Sequence, residues 1–407
     1  MKFRVRGASW AAALALAAAG GCGRGDAPAA GDPGRAKIVS SLPRTGSAAA
    51  QTGTIVNGIR LALEEAGGRA GSLRVDYEDW DDASPQRGDW DAAVEAANAD
   101  RAVRDPDVVV YIGTYNSGAA KVSIPKLNAA SIAMISPANT YPGFTKAGLG
   151  EPNEPAVYRP SGRVNFFRVV PTDDLQGVRG AEWVRKLGGT SVYVLHDREL
   201  YGKGIADIFK AHAGKIGLKV LGYEGIDSRA ANYRSLAAKI AGLGPDWVYF
   251  GGTTQSNGGQ LVKDLRAAGF RGRILVPDGC VENAFIASAG AANAEGLVHA
   301  TFGGLPPERL SGRGAEFYRR YRERFGAEPE VYAVYGYEGA LVALDAIRRA
   351  GRKDRAAILE AVARTRDFEG ALGRWSFDEN GDITLGTMSG FVVRDGAWSF
   401  LEILGGS

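Results

Sequence analysis

The run Val108-Val109-Val110-Tyr111-Ile112 constrains this chain more than any other stretch. It has the length and β-branching of a strand buried on both faces, which belongs in a parallel sheet covered by helices. It stops at Gly113, and a small polar loop follows, Thr114-Tyr115-Asn116-Ser117-Gly118. A helix-compatible segment then runs from Ala119 to Asn128, in which Pro125 is expected to kink or restart the helix. A second strand, Ile132 to Ile135, ends in another such loop, Ser136-Pro137-Ala138-Asn139-Thr140. Two neighbouring parallel strands thus deliver hydroxyl-bearing loops to one carboxyl edge, where ligands of open α/β sheets bind. The loops lead into helix N-termini, whose free N–H groups and dipole suit an anion. Turns also need small polar residues, so either loop alone reads as a connection; the pair points to a site.

The same rhythm runs through most of the chain. Lys37 to Leu42 reads as the first strand, followed by Pro43-Arg44-Thr45-Gly46-Ser47 and a helix from about Thr54 that stops at Gly67-Gly68. Leu73 to Glu78 is the next strand, Asp79-Trp80-Asp81-Asp82 an acidic loop, and Asp91 to Val103 a helix. Gly148 to Gly162, with three prolines, reads as a surface insertion. The rhythm restarts after Phe166–Val170: strands at Ser191–Leu195, Lys219–Tyr223, Trp247–Gly251 and Arg273–Val276 alternate with helices. Leu297 to Ala300 looks like a strand leaving this second repeat, and three helices between Gly312 and Thr365 follow without intervening strands. The tail turns at Asp395-Gly396 and reads as antiparallel β. The expected fold class is α/β, two doubly wound lobes with mostly parallel sheets.

A length of 407 residues supports two lobes at roughly 100–200 residues per domain. The formal charge is only +3 and no Lys/Arg cluster is interleaved with aromatics, which excludes nucleic acid as a partner. Lys2, Arg4 and Arg6 precede an apolar stretch, Ala8 to Ala19, too short for a comfortable membrane span. It runs into Ala19-Gly20-Gly21-Cys22, which resembles the bacterial lipoprotein signal, with Ala19 standing where Leu is usual. Residues 1–22 are therefore expected to be a signal peptide ending at a lipidated Cys22, with 23–36 a flexible tether. Cleavage as a plain secretory signal is the alternative. Cys280 is the one other cysteine, so no internal disulfide framework exists, and a buried small apolar role is expected for it.

Catalytic signatures are missing: there is no Gly-x-Ser-x-Gly elbow, no Gly-x-x-x-x-Gly-Lys and no Gly-x-Gly-x-x-Gly after a strand. Ser123-Ile124-Pro125-Lys126 matches Ser-x-x-Lys only formally, without its Ser-Asp-Asn and Lys-Thr-Gly partners. His196, His212 and His299 show no metal-ligand spacing, and His196-Asp197 lies at a strand end where loop capping is the commoner role. Asp79, Asp81 and Asp82 read as a solvated acidic loop before a cation site. The chain is read as a non-enzyme, with no metal and no cofactor.

Taken together, these segments resemble the bacterial periplasmic binding proteins for leucine, isoleucine and valine, the type I solute-binding family serving ABC importers. The carriers are Tyr111-Ile112-Gly113 with Ser117, Ile135 to Thr140, His196-Asp197 with Tyr201-Gly202-Lys203-Gly204, Tyr249 to Gly252, Leu265 to Gly269 and Asp378 to Asp382. The resemblance implies two lobes joined by three crossings near Val170, His299 and Leu372, with ligand trapped between them. Lobe 1 is then 37–170 plus 299–371, and lobe 2 is 171–298 plus 372–407. It further implies that Ser117, Ala138 and Thr140 hold an amino-acid carboxylate, that Asp278 holds the ammonium, and that Tyr201 closes the pocket. Thr52 and Thr253 stand where the family often has Tyr, which enlarges or polarises the pocket. Arg44 and Tyr115 add reach towards a polar or acidic ligand side chain. The implied partners are an amino acid or similar small polar solute such as an amide, an ABC permease, and the membrane through the anchor, with the chain a monomer. A lipid-anchored sensor lobe would share this fold and pocket.

Overall fold

A computed structural model describes residues 34–405. The expected signal peptide, Cys22 and nearly all of the tether lie outside the described residues. Two sheets carry the architecture. The first has the order Arg69–Ala70, Leu73–Asp81, Arg35–Leu42, Val108–Gly113, Ala133–Ser136, Phe166–Arg168, parallel throughout except at the short Arg69–Ala70 edge. The second runs Lys219–Gly225, Ser191–His196, Trp247–Gly251, Arg273–Val276, Val298–Gly303, Met388–Arg394, Ala397–Leu404. Its first five strands are parallel, and the last two form an antiparallel hairpin. All six residues of Val108–Gly113 are buried, as a strand covered on both faces requires.

Helices cover both sheets. Ala49–Glu65 packs on Ala333–Ala350, and their closest approach is set by two glycines. A Cβ on Gly58 would stand 2.2 Å from the Ala333 carbonyl oxygen, and one on Gly336 would stand 2.4 Å from that of Ile55. Neither position has room for any side chain, so the two backbones lie against one another. Ala333–Ala350 and Arg355–Ala363 pack on strands of the first sheet, and Arg313–Phe325 packs on Ala49–Glu65 and Ala333–Ala350, so this helical block sits with the first lobe.

Several local expectations change. Ser117–Ala129 runs unbroken through Pro125. The carbonyl that Pro125 leaves without a partner is that of Lys121, an exposed residue, so water can serve it. The acidic loop is largely strand, since Leu73–Asp81 extends through it. Asp79 pairs with Arg44 at 3.0 Å, Asp81 accepts from the Arg44 N–H at 2.8 Å, and Asp82 is fully buried. This is a structural network and not a solvated loop. Val298–Gly303 pairs with Arg273–Val276 as far as Ala300 and with Met388–Arg394 as far as Gly303, so the chain leaves the second sheet after Gly303 and not at His299. Beyond Leu372 the chain still adheres to the first lobe. Trp375 Nε1 donates to Glu338 at 2.5 Å, Phe377 packs on Phe167, and Asp382 pairs with Arg168 at 2.6 Å.

Arg168 ties this last crossing to the loops above it. Fully buried, it also donates to the carbonyls of Tyr141 at 2.7 Å and Asn139 at 3.2 Å, and to the Thr145 hydroxyl. Removing one partner of such a pair costs roughly 3–5 kcal/mol, because it strands a buried charge.

Candidate functional site

The carboxyl edges of the two sheets face one cavity of about 240 Å³. On the first-lobe side, the strands Val108–Gly113 and Ala133–Ser136 end in loops that brace each other through Asn139. Its Oδ1 accepts from the Thr114 N–H at 3.1 Å and the Ser136 hydroxyl at 2.8 Å, and its Nδ2 donates to the Tyr115 carbonyl at 3.0 Å. The braced loops bring Tyr115, Asn116, Ser117, Gly118 and Ala138 to the cavity wall. Ser117 opens the helix Ser117–Ala129, whose N-terminus has no side-chain cap, so backbone N–H groups remain for an anion. Gly118 sits under Trp90, where a Cβ would come within 2.4 Å of the indole.

The second lobe contributes an acceptor. Asp278 follows strand Arg273–Val276 in a short 3₁₀ turn, Asp278–Cys280, and is buried. Its carboxylate accepts from the Tyr201 hydroxyl at 2.5 Å and from the Tyr332 hydroxyl. Tyr201 comes from the second lobe, and Tyr332 immediately precedes the first-lobe helix Ala333–Ala350. Burial raises the Asp278 carboxyl above its ordinary range, while the two phenols pull it back down. The cap position of the next helix, Asn283–Ala289, is held by Glu282, so Asp278 is not its cap. Burial also keeps Tyr115, Tyr201 and Tyr332 protonated, with every one of these phenols pushed well above its ordinary value.

Around this pair lies a polar shell. Asp197 accepts from the Glu199 N–H at 2.9 Å and the Ser256 hydroxyl at 2.6 Å, so it caps its loop while lining the cavity. Ser256 in turn lies 3.1 Å from the Thr253 hydroxyl. Glu282 accepts from Gln255 Nε2 at 2.9 Å. At the mouth, Arg87 sits over the Trp90 ring at 5.1 Å and reaches across to Glu199 of the other lobe at 3.6 Å. Behind Asp278 stands Asp173, fully buried at the start of helix Asp173–Lys186; among the described residues neither carboxyl oxygen has a partner in good hydrogen-bond geometry, although the Thr140 hydroxyl lowers the carboxyl pKa that burial raises.

Of the residues expected at the site, Ser117, Ala138, Tyr201, Asp278, Thr253 and Tyr115 line the cavity. Thr140, Thr52 and Arg44 do not. Thr140 is buried beside it, its carbonyl accepting from the Asp173 N–H at 3.0 Å. Thr52 donates to the Pro43 carbonyl, and Arg44 is captured by Asp79. The sequence reading missed Trp90, Arg87, Asp89, Asn116, Gln255 and Tyr332. Only Asn116 and Gln255 sat in strand-end loops where position pointed to them. Among the described residues, no group of three His, Cys, Asp or Glu is placed to hold a metal, and no helix is long and apolar enough to cross a membrane. Cys280 is buried and unpaired by disulfide.

Two α/β lobes with a polar cavity between their carboxyl edges define a two-lobed solute-binding protein. A family model for periplasmic binding proteins matches residues 36–397. The Leu/Ile/Val-binding protein homolog 2 of Brucella abortus is 32% identical over 371 residues, covering 88% of this chain and 91% of that protein. An amino acid binding protein of Pseudomonas aeruginosa is 30% identical over 356 residues, covering 87% and 88%. The solved leucine-binding protein LivK of Thermotoga maritima superposes with a TM-score of 0.79 at 28% identity, covering 91% of this chain and 98% of that one. The chain belongs to the periplasmic binding protein family and has its type I fold. These relatives are solute-binding proteins and not enzymes.

The buried acids give the unliganded protein a defined pH response. Burial pushes Asp89 up to about 6, and Asp197 and Glu282 up to about 7, with Asp173 and Asp278 also raised. Unfolded, these groups titrate near ~4. Between about pH 4 and 7 the folded state therefore binds more protons than the unfolded one, and stability falls as pH rises through that window. His299, pushed down to about 4, and His196, also lowered, act the opposite way but are outnumbered. Calorimetry should find a higher Tm at about pH 5.5 than at about pH 8. An equal or lower Tm at the acid end would mean that these carboxyls are solvated and ionised in the native protein.

Proposed function

We propose that this chain is the extracytoplasmic substrate-binding protein of an ABC importer and that it holds a free amino acid between its lobes. One observation carries the reading. A buried carboxylate flanked by two phenols and an uncapped helix N-terminus line the same cavity, an acceptor and a set of N–H donors for the two ends of a zwitterion. The names of the relatives, Leu/Ile/Val-binding, leucine-binding and amino acid binding, support the amino-acid class. In this reading Ser117, Gly118 and Ala138 face the carboxylate, Asp278 receives the ammonium, and Tyr201 and Tyr332 orient Asp278. The lobes close about crossings near Val170, just after Gly303, and between Ile383 and Met388. The closed form then docks on the permease as a monomer. No covalent step is needed.

Lipidation of Cys22 would keep this receptor at the membrane. Cys22→Ser should shift the protein from the membrane fraction to the soluble one with ligand binding intact; continued membrane association of the variant would sink the anchor.

Asp278→Asn tests the ammonium site. Stranding one partner of a buried charge pair costs roughly 3–5 kcal/mol, more than a hundredfold in Kd at ~1.4 kcal/mol per tenfold. Titration calorimetry against the best amino-acid ligand should show that loss. A Kd within threefold of wild type would place the ammonium elsewhere.

A further inference from the structure

Building on the amino-acid reading, we propose that the cavity selects an amino acid whose side chain ends in N–H donors, a carboxamide or a cation, with Asp89 as an acceptor. Among the described residues lining the cavity there is no Leu, Ile, Val, Met or Phe. Its apolar surface comes from Ala138 and the rings of Trp90, Tyr115, Tyr201 and Tyr332. The rest of the lining is hydroxyl, amide, carboxylate and guanidinium. An aliphatic ligand side chain would bury those groups without offering them a partner, and an unmet buried polar group costs more than a made hydrogen bond gains.

Among the described residues, the buried cavity groups left without a partner are two acceptors and the Tyr115 hydroxyl, which can donate or accept. Asn116 Oδ1 and Gln255 Oε1 are buried and have no hydrogen-bond partner. The Gln255 amide is oriented by its Nε2, which donates to the Glu282 carboxylate at 2.9 Å, so its oxygen is the end left over. Among the described residues, Asp89 accepts only the N–H of its own neighbour Trp90, at 2.8 Å. The cation nearest in sequence, Arg87, is engaged over the Trp90 ring and with Glu199, and among the described residues Asp89 forms no ion pair within 4 Å. Burial accordingly lifts the Asp89 carboxyl to about 6, a cost that a donor from the ligand would relieve.

The charge balance argues against an acidic side chain. Asp89, Asp197, Glu199 and Asp278 line the cavity against Arg87 and Arg229, and Arg229 is exposed. Arg44, the residue expected to favour an acidic ligand, is held by Asp79 and does not line the cavity. A site built around hydrogen bonds rejects a ligand lacking the matching group far more strongly than an apolar pocket rejects a missing methylene.

The test is titration calorimetry of the purified protein against leucine, valine, glutamine, asparagine, arginine, lysine and glutamate. A donor-bearing amino acid should bind at least about tenfold tighter than both leucine and glutamate. Asp89→Ala should reduce that preference over leucine by about tenfold or more. Asp89→Asn keeps a neutral acceptor, so it should spare a carboxamide ligand and penalise a cationic one, which separates the two chemistries. Leucine or valine binding as tightly as any donor-bearing amino acid overturns the inference while leaving the amino-acid reading in place. So does a preference within threefold of wild type in Asp89→Ala. If no amino acid binds, both readings fall together. The wild-type panel alone decides the matter should Asp89→Ala fail to fold.

Discussion

The carboxylate of Asp278 is the point on which the two lobes depend. It is buried, and its hydrogen-bond donors come from opposite sides: Tyr201 from the second lobe and Tyr332 from the end of a first-lobe helix. A carboxylate removed from water without partners is costly enough to change its protonation. Two neutral phenols offset part of that cost, and a ligand cation would offset more. On the proposed reading, the same atoms would couple lobe closure to occupancy. Closure would complete the donor set around Asp278, and an ammonium held there would gain from that closure.

For such coupling to be selective, the groups on either side must hold their positions. Asn139 and Ser136 lock the two first-lobe loops to one another. Gly58 and Gly336 let the helix that follows Tyr332 pack backbone to backbone on its neighbour, which fixes where the phenol can reach. Arg168, buried with Asp382 and the carbonyls of Asn139 and Tyr141, fastens the loop and a crossing to one strand end. In each device a buried polar group is satisfied in only one geometry.

Much of the fold was legible because its strands are short, continuous apolar runs separated by helical periods. Val108–Gly113, Ser191–His196 and Trp247–Gly251 lie where that pattern put them. The differences arise where long-range pairing outweighs local signal. Nothing local in Val298–Gly303 says that it continues beside Met388–Arg394. Pro125 reads as a break, yet its helix needs one hydrogen bond fewer on a face that water reaches. The acids at Asp79 and Asp81 read as solvated because Arg44 and Thr45, their partners, lie more than thirty residues earlier.

The site divides the same way. Ser117 and Ala138 lie in loops just past strand ends, where the carboxyl-edge rule reached them, whereas Thr253 and Asp278, also just past strand ends, came from the family resemblance. Trp90 and Asp89 come from a two-residue strand in a connection, and Tyr332 from a helix start remote in sequence; only the packed chain brings these to the cavity. Arg44 and Thr52 are near the edge in sequence but spend their hydrogen bonds on Asp79 and Pro43. A crystal structure of the protein with its tightest amino-acid ligand tests the central claim most directly. The account predicts both lobes closed on the ligand, its ammonium within hydrogen-bonding distance of the Asp278 carboxylate and its carboxylate on the N–H groups at Ser117 and Gly118. Ligand density outside this cavity, or an ammonium without contact to Asp278, would contradict it.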